Sequence, residues 1–175
     1  VYIKNDSSNL YVAFKALGNQ DFIRAGIRAR DGINWLDDQV AIGIDTFGDG
    51  RYYVRFSANP LGSIGDNKVD NKDDFDGSYN VEFDAKARIT DFGYEVEFVI
   101  PFSSLNFPDT KNQQLTLMLS RKLYNKGTEA RYMNYAKIDG AGCIICQSNE
   151  FYTVGNIVKK NKKRLIPSLT ANSIR

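Results

Sequence analysis

Apolar and polar residues alternate with period two along most of the chain, and no stretch carries the spacing of a long amphipathic helix. In NLYVAFKA, Leu10, Val12 and Phe14 share one face. In LDDQVAIGIDTFGDGRYYVRFSANPLG, residues 36–62, Val40, Ile42 and Ile44 point one way and Ala41, Gly43 and Asp45 the other. After TFGDG, Tyr52, Val54 and Phe56 alternate with Arg51, Tyr53 and Arg55. Two alternating runs around a short Gly/Asp turn predict a β-hairpin. YNVEFDAKARIT and GYEVEFVIPF flank Asp91-Phe92-Gly93 and predict a second hairpin, with Tyr94, Val96, Phe98 and Ile100 facing the core.

Pro101 cannot continue a central ladder, so that strand is expected to end there, and PFSSLNFP suits a short helical turn. QQLTLMLSRKL places Leu115, Leu117 and Leu119 on one face, and ARYMNYAKI follows as a strand. The polar, acidic residues 62–78 read as a long loop. There is no internal repeat. Many short strands with frequent turn signals predict an all-β fold, an antiparallel β-sandwich of jelly-roll or immunoglobulin-like type with short helical turns. Residues 1–157 are expected to form the sandwich domain. Residues 158–175, VKKNKKRLIPSLTANSIR, are expected to be a basic connector and the start of a downstream strand-rich region.

Composition adds exclusions. A chain of 175 residues fits one domain with a real core. Ten tyrosines and eleven phenylalanines against two methionines lean toward sheet. A net charge of +2 does not predict nucleic-acid binding from the overall field. No apolar stretch is long enough to span a bilayer as a helix. The opening VYIKNDSSNLYVAF has neither an initiator methionine nor a signal-peptide pattern, so the chain is expected to be a segment of a longer protein. Histidine is absent, which excludes histidine triads, histidine-bearing zinc sites and histidine general bases.

Taken in order, DDQVAIGIDTFGDGRYYVRFSANPLG, FDGSYN, ITDFGYEVEFVIPFSSLNFP and the arginine in LSRKL resemble the family 9 carbohydrate-binding-module-like (CBM9-like) domain, within the wider DOMON-like β-sandwich group. The variety it most resembles is the copy in large bacterial proteins of the DUF5916 type, where the domain precedes an outer-membrane-barrel-like region. The resemblance covers about residues 8–155, and RLIPSLTA looks like the start of that downstream region.

The resemblance implies a non-catalytic glycan-binding module of an exported protein, on the periplasmic, cell-surface or extracellular side of a Gram-negative bacterium. Its implied partners are a mono- or oligosaccharide and the barrel-like region of the same polypeptide, with no nucleic acid and no required cofactor. A structural or protein-interaction sandwich that has lost the sugar site is the alternative. In sugar-binding relatives a tryptophan near the place of Trp35 forms one wall of an aromatic clamp. A glutamate in the following strand binds hydroxyls, and here that position is Ala41. The family's strand arginine matches Arg55, which alternation places on one face with Ala41, Gly43 and Tyr53. The ligand-binding candidates are therefore Trp35, Tyr53 and Arg55. No second tryptophan exists, and Tyr132 or Tyr135 is the candidate for its place.

Other motifs keep two readings. Asp37, Asp38 and Asp45, with Asp49, are candidate ligands for a structural Ca²⁺, or they end strands and hydrogen-bond turn amides. Asp66, Asp70, Asp73, Asp74 and Asp76 are a denser acidic alternative, or a solvated loop. Glu95 and Glu97 share a strand face and invite a glycosidase reading, but nothing nominates an acid partner, and such a pair more often marks the solvent side. Cys143 and Cys146 in CIIC lack the further ligands of a zinc site, leaving a short-loop disulfide in an exported domain or two free thiols. The cluster Lys159, Lys160, Lys162, Lys163 and Arg164 suits a solvated linker, or a contact with anionic lipid.

Overall fold

The computed structural model describes residues 1–33, 36–108, 110, 112–125, 128–134, 142–155 and 157. Trp35, Tyr135 and the basic 158–175 segment lie outside the described residues. Among the described residues the strands are β1 (Tyr2–Asn5), β2 (Asn9–Leu17), β3 (Gln39–Asp45), β4 (Tyr52–Ala58), β5 (Ile64–Asp70) and β6 (Phe75–Asp76). They continue with β7 (Asp84–Thr90), β8 (Gly93–Pro101), β9 (Asn112–Asn125), β10 (Thr128–Met133) and β11 (Glu150–Gly155). Short 3-10 turns at Gln20–Phe22, Phe102–Ser104 and Ile145–Gln147 supply the helical content.

The strands form two antiparallel sheets, as the alternation predicts. One is four-stranded in the order β1-β2-β8-β7; the other is seven-stranded in the order β10-β9-β3-β4-β5-β6, with β11 also on β9. Inward residues of β3, β4 and β9 (Val40, Ile42, Ile44, Val54, Phe56, Leu115, Leu117) meet those of β2 and β8 (Leu10, Val12, Phe14, Tyr94, Val96, Phe98, Ile100) in one core. Phe56 and Phe83 pack edge to face at 4.9 Å between ring centroids, a favoured aromatic geometry. Pro101 is the last residue of β8, and the chain turns into the Phe102–Ser104 helical turn there.

The expectation of a loop over 62–78 is corrected. This stretch contains β5 and β6, with β5 paired along its whole length to β4. Its apolar alternation is missing because the inward position opposite Phe56 is Asp66, buried and ion-paired to Arg30. A charged pair at the sheet margin stands where a hydrophobe would have announced the strand.

β9 carries the second feature that matters for the site. One edge pairs with β3 over Thr116–Lys122, and the other takes β11 at Asn112–Leu117 and β10 at Ser120–Asn125. Between these two partners Asn134 acts in place of a strand: its Oδ1 accepts from Leu119 N at 2.8 Å and its Nδ2 donates to Leu117 O at 3.1 Å. The same edge is taken up by β11, and just before it the Ser148 hydroxyl donates to Leu117 O.

The β3–β4 turn is organised by one side chain. The buried Asp45 carboxylate accepts from the amides of Phe47, Gly48 and Gly50, each at 2.9 Å. Gly50 has φ +67°, and a Cβ on it would lie 2.7 Å from Cys146 Sγ, so both conformation and space demand glycine. Asp45→Ala strands three amides and is expected to lower stability by about 2–3 kcal/mol in denaturant unfolding. Asp45→Asn, which keeps an acceptor, is expected to lose less.

Candidate functional site

Pairing in the larger sheet puts short side chains side by side on its outer face. Ala41 lies between Ser120 and Ser57, and Gly65 follows Ser57; in the next row Gly43 lies between Met118 and Arg55, and Asn67 follows Arg55. The result is a floor with almost no side-chain height. Above it is a cavity of about 330 Å³, lined among others by Gln39, Tyr53, Arg55, Asn67, Phe75, Met118, Lys122, Met133 and Ile144.

Three walls enclose it. On the β5 side, Asp31 N donates to Ile64 O at 3.0 Å, and Asp31 Oδ1 accepts from Asp66 N at 2.8 Å, fastening the segment before β3 to the sheet edge. β6 raises Phe75, whose side chain is exposed. Beside the β5–β6 turn, Ile144 reaches the cavity, held by its amide donating to Asp73 Oδ1 at 2.9 Å. Its neighbour Ile145 is buried with Tyr53, Val69 and Met118 in a second apolar cluster outside the main core. A Cys143–Cys146 disulfide closes this turn, so the short-loop reading of CIIC is the one observed.

Tyr53 and Arg55 are brought together as expected, but in different roles. Tyr53 is 2% exposed and forms part of the packing under the wall rather than a stacking surface. Arg55 starts opposite Gly43 and reaches over Ala41, where its Nη2 donates to Gln39 Oε1 at 2.9 Å. Asn67 Oδ1 is buried in the wall with no hydrogen-bond partner among the described residues, an acceptor that costs free energy until a donor meets it. Tyr132 is exposed and does not line the cavity.

The acidic candidates have other employment. Asp45 caps the hairpin turn. Asp37 Oδ2 lies 3.7 Å from Arg28 Nε, and Asn59 Nδ2 donates to the same oxygen at 3.4 Å. Asp38 Oδ1 accepts from Tyr124 N at 2.7 Å. Asp70 Oδ1 accepts the amides of Lys72 and Asp74, and Asp76 Oδ1 that of Ser78, so these residues shape turns. Among the described residues no group of three or more Asp, Glu, Cys or His converges. Calcium takes about six to eight oxygens, and the donor set at Asp37, Asp38 and Asp45 does not fit that demand. Glu95 and Glu97 stand on the outer face of the other sheet, where Glu95 pairs with Arg88 at 2.6 Å and lies opposite Lys15 in the strand register.

Sequence reasoning missed Gln39, Asn67, Phe75 and Lys122. Asn67 and Phe75 fell inside the supposed loop. The available signal was the strand-length spacing of Ile64, Asp66 and Lys68 against Gly65, Asn67 and Val69, which binary hydrophobicity does not register.

Comparison with solved structures decides the architecture. A candidate carbohydrate-binding protein from Bacteroides uniformis superposes with TM-score 0.61 at 13% identity, over 87% of this chain and 75% of that one. A family 9 carbohydrate-binding module from Caldicellulosiruptor kristjanssonii in complex with cellotriose gives TM-score 0.58 at 14% identity, over 96% of this chain and 78% of the other. This is a CBM9-like fold. A family 9 module from the same organism in complex with glucose gives TM-score 0.53 at 12% identity, over 94% and 78%. No protein-family profile matches the sequence, and no curated protein matches it.

Two expectations follow for this CBM9-like sandwich. A Cβ at Gly43 would lie 2.7 Å from Tyr53 Cδ2 and 3.2 Å from Met118 Cε. Gly43→Ala therefore forces a packed ring to move and is expected to cost about 1–3 kcal/mol, read in thermal or denaturant unfolding. The second concerns Asp38, fully buried with Oδ2 unpartnered among the described residues. Burial raises its pKa above the usual carboxylate value. The folded state thus holds this proton more tightly than the unfolded state, and the associated stability is lost as pH rises through the raised native pKa. Asp38→Asn keeps the acceptor for Tyr124 N and is expected to remove that component of the melting-temperature profile above the usual carboxylate range, read by calorimetry, leaving the variant at least as stable as the native protein at neutral pH.

Proposed function

We propose that the chain is a non-catalytic carbohydrate-binding module that holds its sugar in the cavity over β3 and β4. The observation that carries the reading is the cavity itself: a floor of small residues beside an exposed aromatic ring, an anchored guanidinium and a buried acceptor with no donor among the described residues. A pyranose offers the complement, an apolar face for ring contact and hydroxyls that donate and accept. The CBM9-like fold supports the same reading, since two neighbours are modules in complex with cellotriose and glucose. Phe75 offers a ring for stacking beside whatever Trp35, outside the described residues, contributes, and Gln39, Arg55 and Asn67 supply the polar contacts.

Catalysis is not part of the proposal: Glu95 and Glu97 lie on the opposite sheet, and Glu95 is engaged by Arg88. The Cys143–Cys146 disulfide supports placement in an oxidising compartment, in keeping with an exported module.

Two substitutions test the site without touching the core. Ser120→Trp fills the cavity from a partly exposed position on its floor and is expected to abolish binding. Phe75→Ala is expected to weaken binding by roughly tenfold. Both are measured by calorimetry against a panel of mono- and oligosaccharides, with circular dichroism as the fold control. Absence of binding by the native chain across a broad glycan array overturns the reading.

A further inference from the structure

We infer that the sugar selected by this cavity carries an N-acyl group, an acetamido substituent whose methyl rests among Phe75, Met118 and Ile144 and whose N–H donates to Asn67 Oδ1; the inference rests on the carbohydrate reading above. The chain holds two methionines, Met118 and Met133, and both line this cavity. Ile33, Phe75 and Ile144 join them, so apolar side chains stand on several sides of the space and not only under one ring face. An unsubstituted hexose has apolar faces but a rim of hydroxyls. Pressing that rim against isoleucine and methionine strips water from hydroxyls that gain no partner there, which costs free energy. A methyl group on the rim removes the conflict, and a thioether side chain adapts its shape to such a group.

Strand pairing places the apolar end. Val69 lies opposite Tyr53 on β4 and Phe75 on β6. Ile145 is buried with Tyr53, Val69 and Met118, and Ile144, which lines the cavity, packs against that cluster. The Tyr53 ring and the Met118 methyl cover Gly43, so the floor is apolar here as well. Arg55 leans away from this end, across Ala41, to donate to Gln39 Oε1.

Asn67 stands at the border of the apolar end. It precedes Val69 by two residues on the same face of β5, about 7 Å along the strand. Its Oδ1 is buried with no partner among the described residues. Rotating the amide about its soft terminal torsion turns this oxygen toward the cavity, and Oδ1 gives up no bond to a described residue in doing so. The lining carboxylates are engaged within the protein: Asp66 accepts from Arg30 Nη2 and Val81 N, and Asp31 Oδ1 accepts from Asp66 N. A sugar hydroxyl would answer Asn67 alone. An amide N–H with a methyl two bonds beyond its nitrogen answers Asn67 and the apolar end together.

The test compares each acetamido sugar with the parent that has a hydroxyl in its place, by calorimetry on the native chain. The pairs are N-acetylglucosamine with glucose and N-acetylgalactosamine with galactose, each as free sugars and as short oligosaccharides. The acetamido sugar is expected to bind roughly tenfold more tightly than its parent. In saturation-transfer NMR the acetyl methyl is expected to receive more saturation than any ring proton. Asn67→Ala is expected to shrink the ratio of acetamido to parent affinity about fivefold, while Asn67→Asp, which keeps an acceptor, preserves most of it. If acetamido sugar and parent bind equally, the N-acyl preference is overturned and the carbohydrate reading stands. If no sugar of either kind binds, both are overturned. A preference that Asn67→Ala leaves whole overturns the assignment of the N–H to Asn67. The comparison of native affinities needs no variant, so a misfolded substitution does not blunt it.

Discussion

Tyr53 occupies the space that a side chain on Gly43 would need, and the outer face of the larger sheet depends on that arrangement. β3 is buried along its whole length, which asks both of its faces to be packed. Inward, Val40, Ile42 and Ile44 meet the opposing sheet. Outward, Ala41 and Gly43 present a methyl group and a hydrogen, so neighbouring strands can lay longer side chains across them. Tyr53 lies against Gly43 and Arg55 extends over Ala41. A larger residue at either place would fill the cavity or displace what shapes it.

The acidic residues divide into two kinds of work. Asp45, Asp70 and Asp76 satisfy amides in turns, the ordinary use of a short carboxylate that can bond its own backbone. Asp31 and Asp66 clamp the segment before β3 to the sheet edge through Arg30. Neither use is metal chemistry. Both determine where the walls of the cavity stand, one by setting turn geometry and the other by closing a gap that the core does not reach.

Much of the architecture was legible from alternation. Both hairpins, the inward set on β2, β3, β4 and β8 and the stop at Pro101 follow from period two and from the chemistry of proline and glycine turns. β5 was not, because hydrophobic patterning reports burial against apolar neighbours, and Asp66 is buried against an arginine. The site was legible in part for a related reason. Pairing of Arg55 with the Ala41 and Gly43 face needs only strand periodicity, whereas Phe75 and Lys122 join it through sheet order, which links residues that the sequence keeps far apart. The floor was readable along one hairpin; the walls required knowing which strands are neighbours.

The break in pairing along β9 has a consequence for how this domain can change over time. Asn134 and Ser148 sit at the same strand edge, and their side chains bond carbonyl or amide groups between the stretches that β10 and β11 cover. Just before Ser148 lies the Cys143–Cys146 turn, whose Ile145 is buried with Tyr53, Val69 and Met118 and whose Cys146 Sγ occupies the space a side chain on Gly50 would need. The turn also carries Ile144, part of the cavity wall. One short turn thus carries cavity wall and packing on adjacent residues, so a library aimed at new ligands would vary Ile144 while holding Ile145 and both cysteines.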